Sequence, residues 1–203
     1  MKPPPSQSLL LASSSPRRGN ILDMLGIAHT VVEPVTDEEN PPLPPVSIVR
    51  YLSRKKAESV APTAGDELVL SADTVVVLKG GVIGKPVSRD DAKDMLARLS
   101  GEWHNVYTGV TLLDPAAKKV ISGEEMTSVK FRELDGVEIE DYVSTGEPFD
   151  KAGGYGIQGR GSALVERIDG CYYNVVGLPV ARMLGMLKEL GYRYDRSGIR
   201  RLV

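Results

Sequence analysis

Residues Val69–Pro86 read VLSADTVVVLKGGVIGKP, and this stretch decides the fold. The valine-rich run from Leu68 to Val77 predicts a buried strand, and the Gly-Gly pair after it predicts a tight turn that folds the chain back. Asp73 lies in the middle of the run, where burial of a carboxylate is costly unless a cation, a metal or a hydrogen bond compensates its charge. The alternative is an aspartate on an edge strand, followed by a hairpin with a solvated Lys85. The stretch alone leaves both interpretations open.

Length and composition indicate a soluble globular protein. The chain has 203 residues, of which 41% are hydrophobic and 26% are charged, and we expect one domain over residues 1–203 with loose tails at 1–7 and 192–203. The formal net charge of −2 argues against a broad surface for polymeric nucleic acid or for an anionic membrane. No apolar run approaches the length of a transmembrane helix. We therefore expect a protein that binds neither nucleic-acid polymers nor membranes.

Cysteine and histidine are scarce in the chain. Cys171 is the only cysteine, which excludes an intrachain disulfide and fits a reducing compartment, so we expect a cytoplasmic protein. His29 and His104 are the only histidines and, together with one cysteine, leave no zinc-site spacing. We interpret all three residues as structural. Any bound metal would therefore be a hard ion held by oxygen ligands.

The segment Ala12–Arg18, with the sequence ASSSPRR, combines serines, a proline and two arginines. Ser8–Ala12 predicts a short buried strand, and Pro16 predicts the first turn of a helix. Arg17 and Arg18 then lie where the helix dipole disfavours cations. Free N–H groups, hydroxyls and guanidinium groups at a helix start suit a phosphate group, although two solvent-exposed arginines would give the same pattern. We favour the anion site.

Strands and helices alternate irregularly along the rest of the chain, which predicts an α/β or α+β fold. An acidic and proline-rich loop, Thr36–Pro45, precedes a predicted helix at Val46–Val60. Glu38 in this loop is either solvated charge or a metal ligand, and Lys56 on the helix belongs by default to a solvated basic face. Ser88 with Asp91, a capping-box pair, and Asp135 with Glu138 are predicted to cap helices. Trp103–Leu113 and Val120–Glu133 are the predicted strands of a hairpin. Asn174–Gly177 is a predicted turn, and Pro179–Leu190 is the predicted last helix.

A glycine-rich stretch, Glu147–Gly161, has the sequence EPFDKAGGYGIQGRG and contains too much glycine for a regular element. It matches neither a P-loop nor a dinucleotide-binding fingerprint. The cationic helix start, the strand aspartate and this loop, which carries Gln158, are three features that a domain without a ligand would not need. A nucleoside triphosphate with a divalent ion would use all of them, because such a ligand requires cations, a metal and hydrogen-bonding groups for its base.

Five motifs appear in a fixed order and together resemble one protein family. They are ASSSPRR (Ala12–Arg18), SADTVV (Ser71–Val76), GKP (Gly84–Pro86), EPFDKAGGYGIQG (Glu147–Gly159) and NVVGLP (Asn174–Pro179). The set closely resembles the Maf family of nucleoside triphosphate pyrophosphatases, which were first named for inhibition of septum formation. The resemblance extends from about Leu9 to Leu190.

The resemblance implies a two-lobed α/β fold with a mixed sheet, similar to the inosine triphosphate pyrophosphatase-like (Ham1) proteins, and an active-site cleft between the lobes. It also implies a homodimer that hydrolyses a nucleoside triphosphate to the monophosphate and diphosphate with Mg²⁺ or Mn²⁺. By match of motif, Asp73 is the implied catalytic proton acceptor, and Glu38 and Asp73 are the implied metal ligands. The implied phosphate-binding residues are Ser13, Arg17, Arg18, Lys56 and Lys85.

Subgroups of the family differ at three motif positions, and the residues at these positions indicate which substrate is preferred. Arg17, Thr74 and Gln158 resemble the subgroup that prefers dTTP and UTP, whereas the subgroup that prefers 7-methyl-GTP has Trp, Gln and Glu there. The amide of Gln158 can pair with the O4 and N3–H edge of uracil or thymine. The resemblance further implies removal of non-standard or modified pyrimidine nucleotides and an influence on division arrest. Two alternatives stay open: hydrolysis of another modified nucleotide such as 7-methyl-GTP, and a nucleotide-binding regulator of septum formation with little turnover.

Overall fold

The structure is a computed structural model, and it describes residues 7–36 and 41–202. Its strands and helices, in chain order, are β1 (Leu9–Ala12), α1 (Pro16–Met24), β2 (His29–Val32), α2 (Pro45–Val60), β3 (Leu68–Leu78), β4 (Gly81–Ile83), α3 (Arg89–Leu99), β5 (Trp103–Asp114), β6 (Lys119–Phe131), α4 (Gly136–Ser144), β7 (Val165–Asp169), α5 (Tyr172–Val176), α6 (Val180–Glu189), β8 (Tyr192–Asp195) and β9 (Gly198–Arg201). Short 3₁₀ turns occur at Ala61–Thr63, Glu147–Asp150, Ala152–Gly154 and Gly159–Leu164. The predicted α/β class is confirmed.

A seven-stranded mixed sheet is the frame of the fold, with the hydrogen-bonded strand order β2-β1-β3-β5-β6-β7 and with β4 paired to the end of β3. Because β3 has a neighbouring strand on each side, the edge-strand interpretation of Asp73 is wrong. The chain divides into two compact units. The first unit contains Met1–Asp73, Gly109–Glu124 and Gly177–Val203, and the second contains Thr74–Thr108 and Glu125–Val176.

In the first unit, β1 pairs in parallel with β2 and with β3, so that Ala12 lies opposite both Val32 and Ser71. Side chains alternate along a strand, and therefore Val69, Ser71 and Asp73 share one face of β3. That face packs against α2, since strand residues and α2 residues share one buried cluster. Its members are Leu10, Ala12, Ala57, Val60, Ala64, Val69 and Leu113.

A glycine on β5 allows α2 to lie close to the strands. A Cβ added at Gly109 would lie 2.1 Å from the carbonyl oxygen of Val49, far inside van der Waals contact. One turn further along α2, the carbonyl of Ser53 accepts a hydrogen bond from the hydroxyl of Ser71. These contacts set the register of α2 against β3. They determine which strand residue faces Lys56, at the next turn of the helix.

The second unit is built around Phe131 at the end of β6, which is fully buried. Its buried cluster includes Leu96 and Leu99 on α3 and Val143 on α4. Both helices therefore pack their apolar residues into one cluster, and for α3 this is the apolar stripe that the periodicity of Ala92, Leu96 and Leu99 predicts.

The helices α3 and α4 of the second unit begin at the predicted caps. The hydroxyl of Ser88 accepts a hydrogen bond from the Asp91 N–H at 3.1 Å, at the start of α3. Asp135 and Glu138 form a reciprocal capping box at the start of α4. Both N-caps are confirmed, because a cap involves residues only three positions apart and needs no tertiary partner. At α3 the reciprocal half of the expected capping box is wrong, since Asp91 Oδ2 accepts from the Val87 N–H and not from that of Ser88.

Two segments differ from the sequence-based expectations. The predicted turn at Asn174–Gly177 is wrong, since Tyr172–Val176 form the short helix α5. The segment that we set apart as a C-terminal tail contains the antiparallel hairpin of β8 and β9, with Tyr192 and Ile199 buried. Within residues 7–36 and 41–202, every helix falls short of the length and hydropathy that a bilayer crossing requires.

Candidate functional site

Asp73 and Lys56 form a buried ion pair in the first unit. Lys56 Nζ donates to Asp73 Oδ1 at 2.6 Å, and only 9% of the Lys56 side chain and 12% of the Asp73 side chain are exposed. The pair exists because Lys56 lies on the strand-facing side of α2, one turn after Ser53, whose carbonyl is bonded to Ser71. The default interpretation of Lys56 as part of a solvated basic face is therefore wrong. The ammonium group compensates the carboxylate, as burial of Asp73 requires.

Arg18 is also buried, and its guanidinium group joins two motifs. Its Nε donates to the carbonyl of Gly177 at 2.8 Å, and its Nη1 donates to Ser13 Oγ at 2.9 Å. Ser13 Oγ also accepts a hydrogen bond from the Ser15 N–H at 3.1 Å. Ser15 occupies the N-cap position of α1, and Pro16 begins the helix as predicted. Arg18 thus holds the end of β1 next to the NVVGLP motif.

Ser13 and Asp73 both follow the last registered residue pair of β1 and β3. Ala12 at the end of β1 is paired with Ser71, so Ser13 lies one residue and Asp73 two residues beyond the last registered pair. The first unit therefore contains two buried polar pairs, Lys56 with Asp73 and Arg18 with Ser13.

In the second unit, Thr74 follows Asp73 directly and is half-buried, with its Oγ1 2.9 Å from Thr108 Oγ1. Lys85 and Gln158 are exposed. The GKP motif and the glycine-rich stretch are in contact, because the Gly153 N–H donates to the carbonyl of Gly84 at 2.9 Å.

The glycine-rich stretch is held by side chains at its two ends. Glu147 accepts hydrogen bonds from the N–H groups of Arg160 at 3.1 Å and Gly161 at 3.3 Å. The hydroxyl of Tyr142 accepts one from the Gly156 N–H at 3.2 Å, and burial raises the pKa of this phenol. The carboxylate of Glu147 therefore joins the start of the loop that carries Gln158 to its end, a contact that the sequence did not predict.

His104 anchors the same loop from β5. Its Nε2 is 2.7 Å from the hydroxyl of Tyr155, and its ring packs edge-on against Phe131. Burial lowers the pKa of His104 from 6.5 to about 4, partly offset by the backbone of Glu102. The imidazole is therefore neutral at pH 7 and serves as a structural group.

Whether a divalent ion fits beside Asp73 depends on the donor atoms of the side chains there. Glu38, the other implied metal ligand, lies outside the described residues. Within the described ranges, no three histidine, cysteine or acidic side chains cluster as a metal site would require. Asp73 supplies the oxygen donor that Mg²⁺ and Mn²⁺ prefer, and Mg²⁺ commonly binds one or two carboxylates with substrate phosphates and water. The carboxylate of Asp73 therefore fits the donor type of such an ion, while its Oδ1 is bonded to Lys56 Nζ.

The implied site residues are distributed over both units. Ser13, Arg17, Arg18, Lys56 and Asp73 belong to the first unit, and Thr74, Lys85 and Gln158 belong to the second. Sequence reasoning assigned no role to Thr108 or Glu147. Thr108 is a fully buried polar residue in a strand, and such a residue gives no local signal of its partner.

Comparison with known proteins gives a consistent result. Residues 8–190 match the sequence profile of the family described as Maf-like protein. The chain is 49% identical over 187 residues to the dTTP/UTP pyrophosphatase of Pelotomaculum thermopropionicum, covering 92% of this chain and 98% of that protein. It is 51% identical over 190 residues to the dTTP/UTP pyrophosphatase of Syntrophomonas wolfei, covering 92% and 100%.

Among solved structures, the Staphylococcus aureus Ham1 protein matches 63% of this chain and 73% of its own chain, with 14% identity and a TM-score of 0.45. That match is too remote to bear on function. The sequence profile covers nearly the whole chain and includes the strand aspartate, the cationic helix start and the glycine-rich stretch. This protein belongs to the Maf family.

Proposed function

We propose that the protein is a nucleoside triphosphate pyrophosphatase that hydrolyses dTTP and UTP to the monophosphate and diphosphate. The observation that carries the proposal is the buried Asp73–Lys56 pair, in a chain 43–51% identical over most of its length to proteins named dTTP/UTP pyrophosphatases. A carboxylate held by a lysine suits an attacking water, and a buried arginine bonded to a serine hydroxyl in the same unit suits a phosphoryl group.

In this proposal the residues of the first unit act on the triphosphate. Asp73 receives a proton from the attacking water and orients that water through its carboxylate. Lys56 and Arg18 neutralise charge that develops on phosphate oxygens, and Ser13 donates its hydroxyl to one of them. Arg17 adds a further cation at the start of α1. A ligand of charge near −4 makes this concentration of cationic groups necessary.

Residues of the second unit complete the proposal. Lys85 is exposed in the GKP motif, and it would neutralise the departing diphosphate. Gln158 is exposed in the loop that Glu147 holds, and its amide would pair with the edge of the pyrimidine base. Thr74 would contribute to substrate choice. Replacing Gln158 by glutamate should reduce kcat/KM for UTP relative to that for 7-methyl-GTP.

We assign Asp73 and Glu38 as the residues that would hold Mg²⁺ or Mn²⁺. Such an ion, when bound, supplies charge neutralisation at the phosphates. The chain's own contribution is to keep the carboxylate of Asp73 in place, which Lys56 does through the bond to Oδ1. Substrate phosphates and water would fill the remaining positions around the ion.

The same proposal covers the setting of the reaction. We infer a cytoplasmic homodimer that removes non-standard pyrimidine nucleotides and thereby influences division arrest. The single cysteine and the weak net charge support a reducing compartment and a small-molecule substrate. Light scattering on the purified protein measures its mass and tests the dimer.

Release of diphosphate from dTTP, UTP, CTP and 7-methyl-GTP, each with and without Mg²⁺, tests the function. We expect the highest kcat/KM for dTTP and UTP and little turnover without the ion. Asp73→Asn should lower kcat by at least about 100-fold, since the proton acceptor is lost. The matched control is Asp90→Asn on α3, where 96% of the side chain is exposed. Near-normal turnover in Asp73→Asn contradicts the role of Asp73, and a preference for 7-methyl-GTP contradicts the substrate.

A further inference from the structure

The C-terminal hairpin of β8 and β9 lies outside the match to the Maf family profile, which ends at residue 190. It is nevertheless packed into the first unit, since Tyr192 is 3% exposed and Ile199 is fully buried. The guanidinium carbon of Arg201 lies 5.9 Å from the centre of the Tyr192 ring and covers it. The hairpin is therefore an ordered element to which other segments of this unit can be attached.

The hairpin is bonded to both ends of one strand–loop–helix segment, residues 7–25, which contains β1 and α1. The N–H of Gln7, two residues before β1, donates to the carbonyl of Ile199 at 2.7 Å. Tyr194 Oη donates to the carbonyl of Leu25 at 2.7 Å, directly after the last residue of α1. One element thus holds the place where this segment begins and the place where it ends.

The bond from Tyr194 stabilises a helix end that needs a partner. Leu25 is the C-cap of α1, and the carbonyl groups in the last turn of a helix have no acceptor role inside the helix. The helix has only nine residues and includes Gly19, so its own hydrogen bonds hold it only marginally. The position of α1 therefore depends on contacts with the rest of the unit, and Tyr194 supplies one of them.

The residues assigned to phosphate lie at the other end of the same segment. Ser13 follows β1, and Arg17 is in the first turn of α1. β1 with four residues and α1 with nine are each about 13 Å long. The N–H of Leu9 donates to the carbonyl of Ala28 at 3.0 Å, so the chain returns to the start of β1 after α1. Because helices are rigid elements, a displacement at the end of α1 also displaces its first turn.

We propose that the C-terminal hairpin positions the phosphate-binding segment of β1 and α1, with Tyr194 as the positioning residue that acts through α1. This inference rests on the proposed function. A guanidinium group and a hydroxyl bind phosphate oxygens only within a narrow range of distance and angle, so a shifted α1 binds the triphosphate less tightly. Loss of binding that is common to the ground state and the transition state raises KM and leaves kcat nearly unchanged.

Tyr194→Phe tests the proposal, because phenylalanine keeps the ring and removes the hydroxyl. We expect KM for UTP to rise by about 5-fold, the size of one neutral hydrogen bond, with kcat within about 2-fold of the original. The matched control is Tyr192→Phe on the same face of β8, whose hydroxyl donates to Asp114 Oδ2 at 2.9 Å, at the end of β5. This control loses a bond of the same kind but not the one to α1, and it should keep KM within about 2-fold.

Amide hydrogen exchange on the protein without nucleotide gives a second measurement. The N–H groups of Leu25, Gly26 and Ile27 donate to carbonyls within α1 and report on its C-terminal end. Their exchange should be about 5-fold faster in Tyr194→Phe and unchanged in Tyr192→Phe.

The outcomes separate this proposal from the proposed function. A hairpin that only adds stability would lower the amount of folded enzyme, and hence the apparent kcat, without changing KM. A protein that hydrolyses UTP with equal KM in the two variants, or with unchanged exchange at the end of α1 in Tyr194→Phe, overturns the positioning role and leaves the function standing. A protein that hydrolyses neither UTP nor dTTP overturns the function, and the positioning role with it.

Discussion

The buried pair of Lys56 and Asp73 allows a quantitative prediction. Replacing Lys56 by methionine removes the ammonium group and keeps most of the apolar stem that packs on β3. The carboxylate of Asp73, with 12% of its side chain exposed, would remain in the interior without its partner. We therefore expect a large loss of the free energy of unfolding.

The magnitude follows from the distance between the charged groups. At 2.6 Å, two unit charges attract by about 6 kcal/mol in an effective dielectric constant of about 20. Desolvation offsets part of this attraction, and removing one member of a buried pair costs about 3–5 kcal/mol. For a domain whose total stability is about 5–15 kcal/mol, such a loss leaves a large fraction of the chain unfolded under mild denaturation.

The assay is urea unfolding at pH 7.5 in the presence of a chelator, so that bound metal does not contribute. Lys56→Met, Asp73→Asn and the double variant form a double-mutant cycle. We expect the double variant to be more stable than Lys56→Met, because no uncompensated charge remains in the interior. The matched control is Lys79→Met, whose partner Glu102 lies at 2.9 Å but whose side chain is 71% exposed. That exposed pair is screened by solvent, so the control should cost much less than Lys56→Met.

Two results would refute the reasoning. The first is a cost below about 1 kcal/mol for Lys56→Met, which would equal that of an exposed pair. The second is additivity of the two single variants, which would mean that the groups do not interact in solution.

Three further predictions concern the scaffold. His104 has a pKa of about 4 in the folded protein and 6.5 in the unfolded chain, so protonation favours unfolding. The free energy of unfolding therefore includes about 3 kcal/mol that is fully present above pH 6.5 and is lost as the pH falls toward 4. His104→Phe should flatten this part of the plot of stability against pH. Gly109→Ala should destabilise the protein by several kcal/mol in urea unfolding, since the new Cβ would lie 2.1 Å from the carbonyl oxygen of Val49. The control is Gly185→Ala inside α6, whose new Cβ has no atom within 4 Å and which should stabilise the protein by about 0.5–1 kcal/mol. Glu147→Ala should increase amide hydrogen exchange at residues 158–161, because the N–H groups of two loop residues lose their acceptor.

Each of these predictions has a defined contrary outcome. Equal pH profiles for the original protein and His104→Phe would show that burial of the imidazole does not affect stability. A stable Gly109→Ala would mean that α2 moves away from β5 at little cost. Unchanged exchange in Glu147→Ala would show that the carboxylate does not hold the loop.

Interactions between residues near in sequence could be predicted from the sequence. Ser88 with Asp91 and Asp135 with Glu138 are caps whose partners lie three residues apart, so the local backbone alone brings them together. The valine-rich strand with its Gly-Gly turn follows from residue preferences in the same way. The five ordered motifs likewise indicated the Maf family without any knowledge of packing.

Interactions between distant residues were decided by the tertiary structure. Lys56 and Asp73 lie 17 positions apart, and their pairing depends on the register of α2 against β3, which Gly109 and the bond between Ser71 and Ser53 determine. No pattern in the sequence of α2 distinguishes a lysine that faces a strand from one that faces water.

The same reason explains the residues that sequence reasoning left without a role. Thr108 lies 34 positions from Thr74 and 66 from Asn174, and only the packing of three separate elements joins their hydroxyl and carbonyl groups. The sequence by itself determined most of the secondary structure, the family and the residue types of the implied site. The tertiary structure decided which of those residues are paired, because side chains distant in sequence meet only after the chain has folded.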